Sequence, residues 1–173
     1  SIGRRQNEMK KILFLDMDGV IADFDLGVNL LYPGLDTRGD HLRDYEERSR
    51  LVDEICEANP LIFHDLPTLP NAIESVNQLF PLFDVYFLST PMWNVPDSYT
   101  GKRIWLEKHF GDLAKKKLIL THRKDFVTGD YLVDDRHKNG AAEFKGEFIH
   151  FGSDKFPDWK RVLEYLKQHA TNI

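Results

Sequence analysis

A short apolar run that stops abruptly on two acids constrains this chain more than any other feature. Ile12-Leu13-Phe14-Leu15 is followed at once by Asp16-Met17-Asp18-Gly19-Val20. Four apolar residues are too few for a helix, and without polar alternation they read as a strand buried on both faces, as in a parallel sheet. Asp16 and Asp18 then fall just past its carboxyl end, where open α/β sheets bind their ligands. Gly19 permits a tight turn and lets backbone N–H groups approach an anion closely. Acids ending a buried strand are costly unless they hold a metal or do chemistry. By itself the stretch also suits an Asp-Gly turn facing water, so later segments must decide.

Those segments alternate. A helix is expected from Val20 to Leu31, where Tyr32-Pro33-Gly34 marks a turn. A second is expected over Tyr45 to Ala58, stopped by Pro60, and a third from Leu69 to Leu79 or Phe80 with Pro70 at an early position. Strands are expected at Asp84 to Leu88, Leu118 to Leu120, Tyr131 to Val133 and Glu147 to Phe151. Helices from Gly101 to Phe110 and from Trp159 to Gln168 complete the pattern. Such alternation predicts an α/β domain with a parallel sheet and helices on both faces. The charged stretch 23–67 reads as a small helical cap inserted after the first strand and lying over the site. The core is then 9–22 and 68–173, and residues 1–8 read as an appended or loose extension.

Composition narrows the function classes. A chain of 173 residues fits one compact domain with a small inserted lobe. Its net charge of -5 argues against a nucleic-acid polymer as partner, because backbone binding needs clustered Lys and Arg. The run Lys115-Lys116-Lys117 is best read as a solvated helix end. A single cysteine, Cys56, has no partner for an internal disulfide, which suits a reducing compartment. No apolar run approaches the length of a membrane span, so the expectation is a cytoplasmic protein with no membrane partner.

Four strand ends carry the chemistry. The first offers Asp16 and Asp18, the second Ser89 and Thr90, the third leads to Lys124, and the fourth ends in Asp134-Asp135. Carboxylates from neighbouring strands can build a site for a hard cation such as Mg²⁺. A hydroxyl and an ammonium can hold phosphoryl oxygens, leaving Asp16 free to attack phosphorus. Each residue alone has a plainer reading: Lys124 as a surface lysine, Ser89 and Thr90 as strand-end caps, Asp134-Asp135 as a turn. Their joint occurrence in one strand context favours a shared site.

Asp16-Met17-Asp18-Gly19-Val20, the hydroxyl ending the second strand, Lys124 and Leu132-Val133-Asp134-Asp135 resemble the four motifs of the haloacid-dehalogenase-like hydrolases. The resemblance implies a Rossmann-like core. It also implies Asp16 as nucleophile and Asp18 as general acid and then base. Ser89 and Lys124 would hold the phosphate, and Asp16, Asp134 and the backbone carbonyl of Asp18 would hold Mg²⁺. A narrower likeness is to the 5'(3')-deoxyribonucleotidases, carried by Asp16 to Phe24, Leu88-Ser89-Thr90-Pro91, Lys102 to Phe110, Leu120-Thr121 and Asp134-Asp135-Arg136. It implies that Phe24 lies against a nucleobase. One departure is Thr121-His122-Arg123-Lys124, where that family usually carries Thr-Arg-Asp-Lys, so His122 occupies the position of the family's site arginine. The expected activity is Mg²⁺-dependent hydrolysis of nucleoside 5'-monophosphates, deoxy in sugar, through an aspartyl-phosphate. The rivals are a phosphatase for a sugar phosphate or other small metabolite, and a nucleotide-binding protein without turnover.

Overall fold

The first strand, β1 (Ile12–Leu15), takes parallel partners on both sides: β2 (Asp84–Ser89) on one and β4 (Tyr131–Asp134) on the other. With β3 (Leu118–Leu120) beyond β2 and β5 (Glu147–His150) beyond β4, the five strands run in the order β3-β2-β1-β4-β5. The chain builds outward from β1 to β3 and then returns to the other side of β1. The β1–β4 junction is therefore the switch point at which such sheets form a crevice. The computed structural model describes residues 10–35, 37 and 45–170. The expected extension at 1–8 and part of the expected cap lie outside them.

Side chains along each strand alternate between two layers. Leu13, Leu15, Val85, Phe87, Tyr131, Val133 and Ile149 join the larger core. Three helices pack there, α3 (Ala72–Leu79), α4 (Asp97–Phe110) and α5 (Trp159–His169), through Val76, Leu79, Trp105, Phe110, Trp159 and Leu166. Phe14, Leu88 and Leu132 face the opposite way into a small cluster with Ala141 and Phe144. Among the described residues this second layer is built from single 3₁₀ turns at Lys124–Phe126 and Ala141–Glu143 rather than from long helices. Helical segments thus cover both faces, but unequally.

Two helices fall between β1 and β2: α1 (Phe24–Leu31) and α2 (Tyr45–Ala58), with a 3₁₀ turn at Ile62–His64. The expected start of α1 at Val20 is four residues too early. The carbonyl of Met17 gathers the N–H groups of Val20, Ile21 and Ala22 instead, making a tight loop under the site. The helix begins only at Phe24, where the Asp23 carboxylate caps it by accepting from the N–H of Leu26 at 3.0 Å. Both ends of the inserted segment meet. Asp23 N–H donates to Pro67 O at 2.7 Å and Leu69 N–H to Ile21 O at 2.9 Å, around a bridge between Ala22 and Thr68. Buried indoles pin the two approaches: Trp159 donates to Val20 O at 2.6 Å and Trp105 to Leu66 O at 2.7 Å.

Smaller shifts have local causes. α4 starts at Asp97, directly after Pro96, rather than at Gly101. α3 starts at Ala72 because Asn71 takes a left-handed backbone, φ 62°, that ends the preceding turn.

Candidate active site

Alternation along the strands decides which layer receives the reactive groups. Asp16 continues β1 in the register of Phe14, and Asp134 continues β4 in the register of Leu132, so both extend the thin 3₁₀ layer. Lys124 opens the 3₁₀ turn in that same layer. It is 3% exposed, and its Nζ donates to Asp16 Oδ1 at 2.9 Å and to Asp134 Oδ2 at 2.6 Å. The turn is seated by Lys124 N–H donating to Asn139 O at 2.7 Å. Gly140 has φ +83°, and a side chain there would strike Asp125. No other residue takes that backbone without strain while allowing so close an approach.

Three carboxylates converge: an oxygen from each of Asp16, Asp134 and Asp135 lies within 4.8 Å of the others. Burial opposes ionisation of Asp16, but the Lys124 ammonium and the hydrogen bonds from Lys124 and Asp135 hold it below the ordinary carboxylate range. Burial, then the charge of Asp16, pushes Asp134 up to about 7. Burial followed by the charges of Asp16 and Asp134 pushes Asp135 up to about 9. Lys124 resists its own burial because those two carboxylates raise its pKa. Three acids around one ammonium form an excess of negative charge that a divalent cation would neutralise, and hard oxygen donors at this spacing fit such an ion. The Oδ1 of Asp135, buried without a partner among the described residues, supports the same fit.

The sequence reading grouped Asp18 with Asp16 and Asp134 around the metal, through its backbone carbonyl. Its side chain goes elsewhere. Lys102 Nζ, on α4 and 1% exposed, donates to Asp18 Oδ2 at 2.6 Å, and the same ammonium lies 4.9 Å from the Phe63 ring centroid. Asp135 takes the third place among the clustered carboxylates. Gly19 makes room for it: with φ +82° and no Cβ, it lets the Asp135 carboxyl lie directly against its backbone. From sequence, Asp135 is expected at the fourth strand end as a residue that orients the site rather than as a metal ligand, and Lys102 is not singled out. A signal for Lys102 existed in its position beside Ser98, Gly101, Trp105 and Leu106, a helical stripe that is otherwise buried.

Two hydroxyls end β2. Ser89 Oγ is buried and has no hydrogen-bond partner among the described residues, as a group reserved for a ligand would be. Thr90 Oγ1 instead donates to Thr121 O at 2.8 Å, tying the loops after β2 and β3 together. A cavity of about 360 Å³ opens above, between α1 and α2 and the strand ends. Asp18, Thr90, His122 and Asp135 line it from the core, and Phe24 and Phe63 from the insertion. Of the two residues at the substituted motif, His122 reaches this cavity. Arg123 is held by two bonds to Asp125, at 2.9 and 2.7 Å, with its guanidinium 4.0 Å from the Phe126 ring centroid.

The 5' nucleotidase, deoxy (pyrimidine), cytosolic type C family model matches residues 39–165, well over half of the chain. A putative 5'(3')-deoxyribonucleotidase of Vibrio phage KVP40 is 43% identical over 96% of this chain and 90% of its own length. This chain belongs to the 5'(3')-deoxyribonucleotidase family. The human cytosolic 5'(3')-deoxyribonucleotidase is 28% identical over 87% of this chain and 78% of its own. Across a much larger divergence the fold persists. The crystal structure of a hydrolase from Pseudomonas syringae matches 93% of this chain and all of that one, with a TM-score of 0.55 at 15% identity. As a deoxyribonucleotidase-family member the chain is a phosphoric monoester hydrolase. Among the described residues, no helix is long and apolar enough to cross a membrane.

Proposed function

We propose that this enzyme hydrolyses deoxyribonucleoside 5'-monophosphates with Mg²⁺ as its metal, in the cytoplasm. The observation that carries the reading is Lys124 bridging Asp16 and Asp134 at the ends of adjacent parallel strands, in a chain of this family. That geometry presents one ionised carboxylate, one cation and two further acids to a phosphoryl group. The buried Cys56 thiol, pushed up to about 12 chiefly by desolvation, is inert and suits a reducing compartment. The cap boundaries at 23 and 67 rest on the chain closing upon itself at Asp23 and Pro67.

In this reading Asp16 attacks phosphorus in line, and the bond to the nucleoside oxygen breaks as the bond to the Asp16 carboxylate forms. Lys124 and the Ser89 hydroxyl hold the equatorial oxygens, where charge accumulates. Asp18, on the cavity side, delivers a proton to the departing 5'-oxygen and afterwards removes one from the water that splits the aspartyl-phosphate. Asp16, Asp134 and Asp135 would hold Mg²⁺ with the backbone carbonyl of Asp18, and the ion would supply charge neutralisation at the transferring group. Phosphate monoesters react extremely slowly unaided, so this concentration of positive charge is what the chemistry demands.

The test is a hydrolysis screen over deoxyribonucleoside and ribonucleoside 5'-monophosphates and sugar phosphates, in Mg²⁺ and in excess chelator. The expected result is metal-dependent phosphate release, fastest from a deoxyribonucleotide. Faster turnover of sugar phosphates than of any nucleotide would overturn the substrate assignment, and full activity in chelator would overturn the metal.

A further inference from the structure

Large aromatic side chains seldom stand in water without a reason, and Trp93 is 79% exposed. Its backbone is not loose. Met92 N–H donates to Ser98 Oγ at 3.0 Å, Val95 N–H to Met92 O at 3.0 Å and Ser98 N–H to Val95 O at 2.9 Å. Pro91 and Pro96 stiffen the turn on either side, and Val95 anchors it in the core at 2% exposure. A rigid turn therefore holds an indole at the rim of the cavity that also contains Asp18 and Thr90. Trp93 lies three residues beyond Thr90, which also lines the small adjoining cavity that holds Asp16, Lys124 and Asp134.

Phe24, expected to lie against the base, is differently placed. It lines the cavity, but it is 8% exposed and its ring stacks on Phe63 with centroids 5.9 Å apart at 22°. One face is thus occupied within the chain, and the pair forms an apolar floor. Among the described residues, Trp93 is the large aromatic side chain still exposed in this cavity. We infer that Trp93 is the outer wall of the nucleobase subsite, closing over a planar heteroaromatic ring by stacking. This rests on the reading of the enzyme as a nucleotidase. Stacking on an indole tolerates any base but requires a base, so Trp93 separates nucleotides from base-less phosphates rather than one base from another.

Two measurements test it on the full chain. The first compares thymidine 5'-monophosphate with 2-deoxyribose 5-phosphate, the same leaving group without a base. Trp93→Ala should reduce the ratio of their kcat/KM values by roughly ten- to a hundredfold, mainly through the nucleotide's KM, and Trp93→Phe should restore most of it. An unchanged ratio, or equal losses on both substrates, would overturn the inference and make Trp93 a contact of the cap or of another macromolecule. The second uses intrinsic fluorescence in an Asp16→Asn background, which reads binding without turnover. Trp105 and Trp159 are buried, so Trp93 is the indole that a soluble quencher reaches. Thymidine 5'-monophosphate should quench this emission and shield it from acrylamide, whereas 2-deoxyribose 5-phosphate should do neither. Absence of shielding overturns the subsite. A parent enzyme that binds the nucleotide with shielding but does not hydrolyse it would overturn the nucleotidase reading and leave the subsite standing.

Discussion

Asp16 and Asp18 stand two residues apart in sequence, and each is held by a lysine, yet the two pairs are built differently. Lys124 comes from a 3₁₀ turn in the thin layer and is shared between Asp16 and a second buried carboxylate, Asp134. Lys102 comes from α4 in the thick helical layer and serves Asp18, whose side chain remains 28% exposed on the cavity. Burial makes the first pair a fixed electrostatic unit, because neither charge can be left alone there without a large desolvation cost. In the second pair only Asp18 is partly solvated, on the cavity side, where the proposed proton transfer to a leaving group would take place. The same two residue types thus give one buried carboxylate favoured in its ionised form, the nucleophile of the proposed reaction, and one carboxylate open to the cavity, its proposed acid.

Removing the proposed nucleophile should break the first pair's function completely. Asp16→Asn is expected to lower kcat by about four orders of magnitude or more while the circular dichroism spectrum stays intact. Substantial residual turnover would assign the attack to another group. Lys124→Met should come next, because it leaves Asp16 and Asp134 buried without a cation. Activity should fall with it, and stability by about 3–5 kcal/mol in denaturant titrations without metal. A smaller loss in excess Mg²⁺ than in chelator would show that ion and lysine neutralise the same carboxylates.

The acidic cluster also predicts how stability depends on pH. Asp134 and Asp135 have folded-state pKa values raised to about 7 and about 9, above those of an unfolded chain. The folded protein therefore binds their protons more tightly, and the stability they contribute is complete below about pH 4 and lost as pH rises toward 9. Asp16, with its pKa lowered, contributes in the opposite sense, with stability present above the ordinary carboxylate range and lost in acid. In chelator, the melting temperature should fall from about pH 6 to pH 9, and Mg²⁺ should raise it most at the alkaline end. A stabilisation by Mg²⁺ that does not grow with pH would argue that the ion binds outside this cluster. The smallest effect belongs to the second pair. Lys102→Met removes a cation from a partly solvated carboxylate, worth about 1 kcal/mol or less, so stability should shift far less than for Lys124→Met. Equal losses from the two substitutions would erase the distinction drawn between them.

The strands were legible because buried runs such as Ile12–Leu15 and Tyr131–Asp134 have no other stable use, and the reactive groups follow them directly in the chain. Less legible were features set by distant contacts. Nothing local says that Met17 O would gather three N–H groups and delay α1 to Phe24. Nor does a sequence window show that the second face would be covered by 3₁₀ turns, whose few residues carry no 3.6-residue period. Lys102 was obscured because a lysine on a helix is usually solvated, and only the neighbouring fold supplies Asp18 as its partner. Nor does the sequence show that Trp93 is an exposed ring, because that follows from its loop being anchored by Val95 and Ser98 instead.

The claim at the centre of this account is that phosphorus passes through Asp16, and it can be tested by trapping. The Asp18→Asn enzyme would lack the base proposed for the second step, so with Mg²⁺ and an aryl phosphate, whose leaving group needs little protonation, the phosphoryl-enzyme should accumulate. Acid-quenched protein should carry one phosphoryl group in the peptide containing Asp16, removable by hydroxylamine as an acyl phosphate is. Turnover of the aryl phosphate with no phosphoryl group on that peptide, or with the group on another residue, would contradict it.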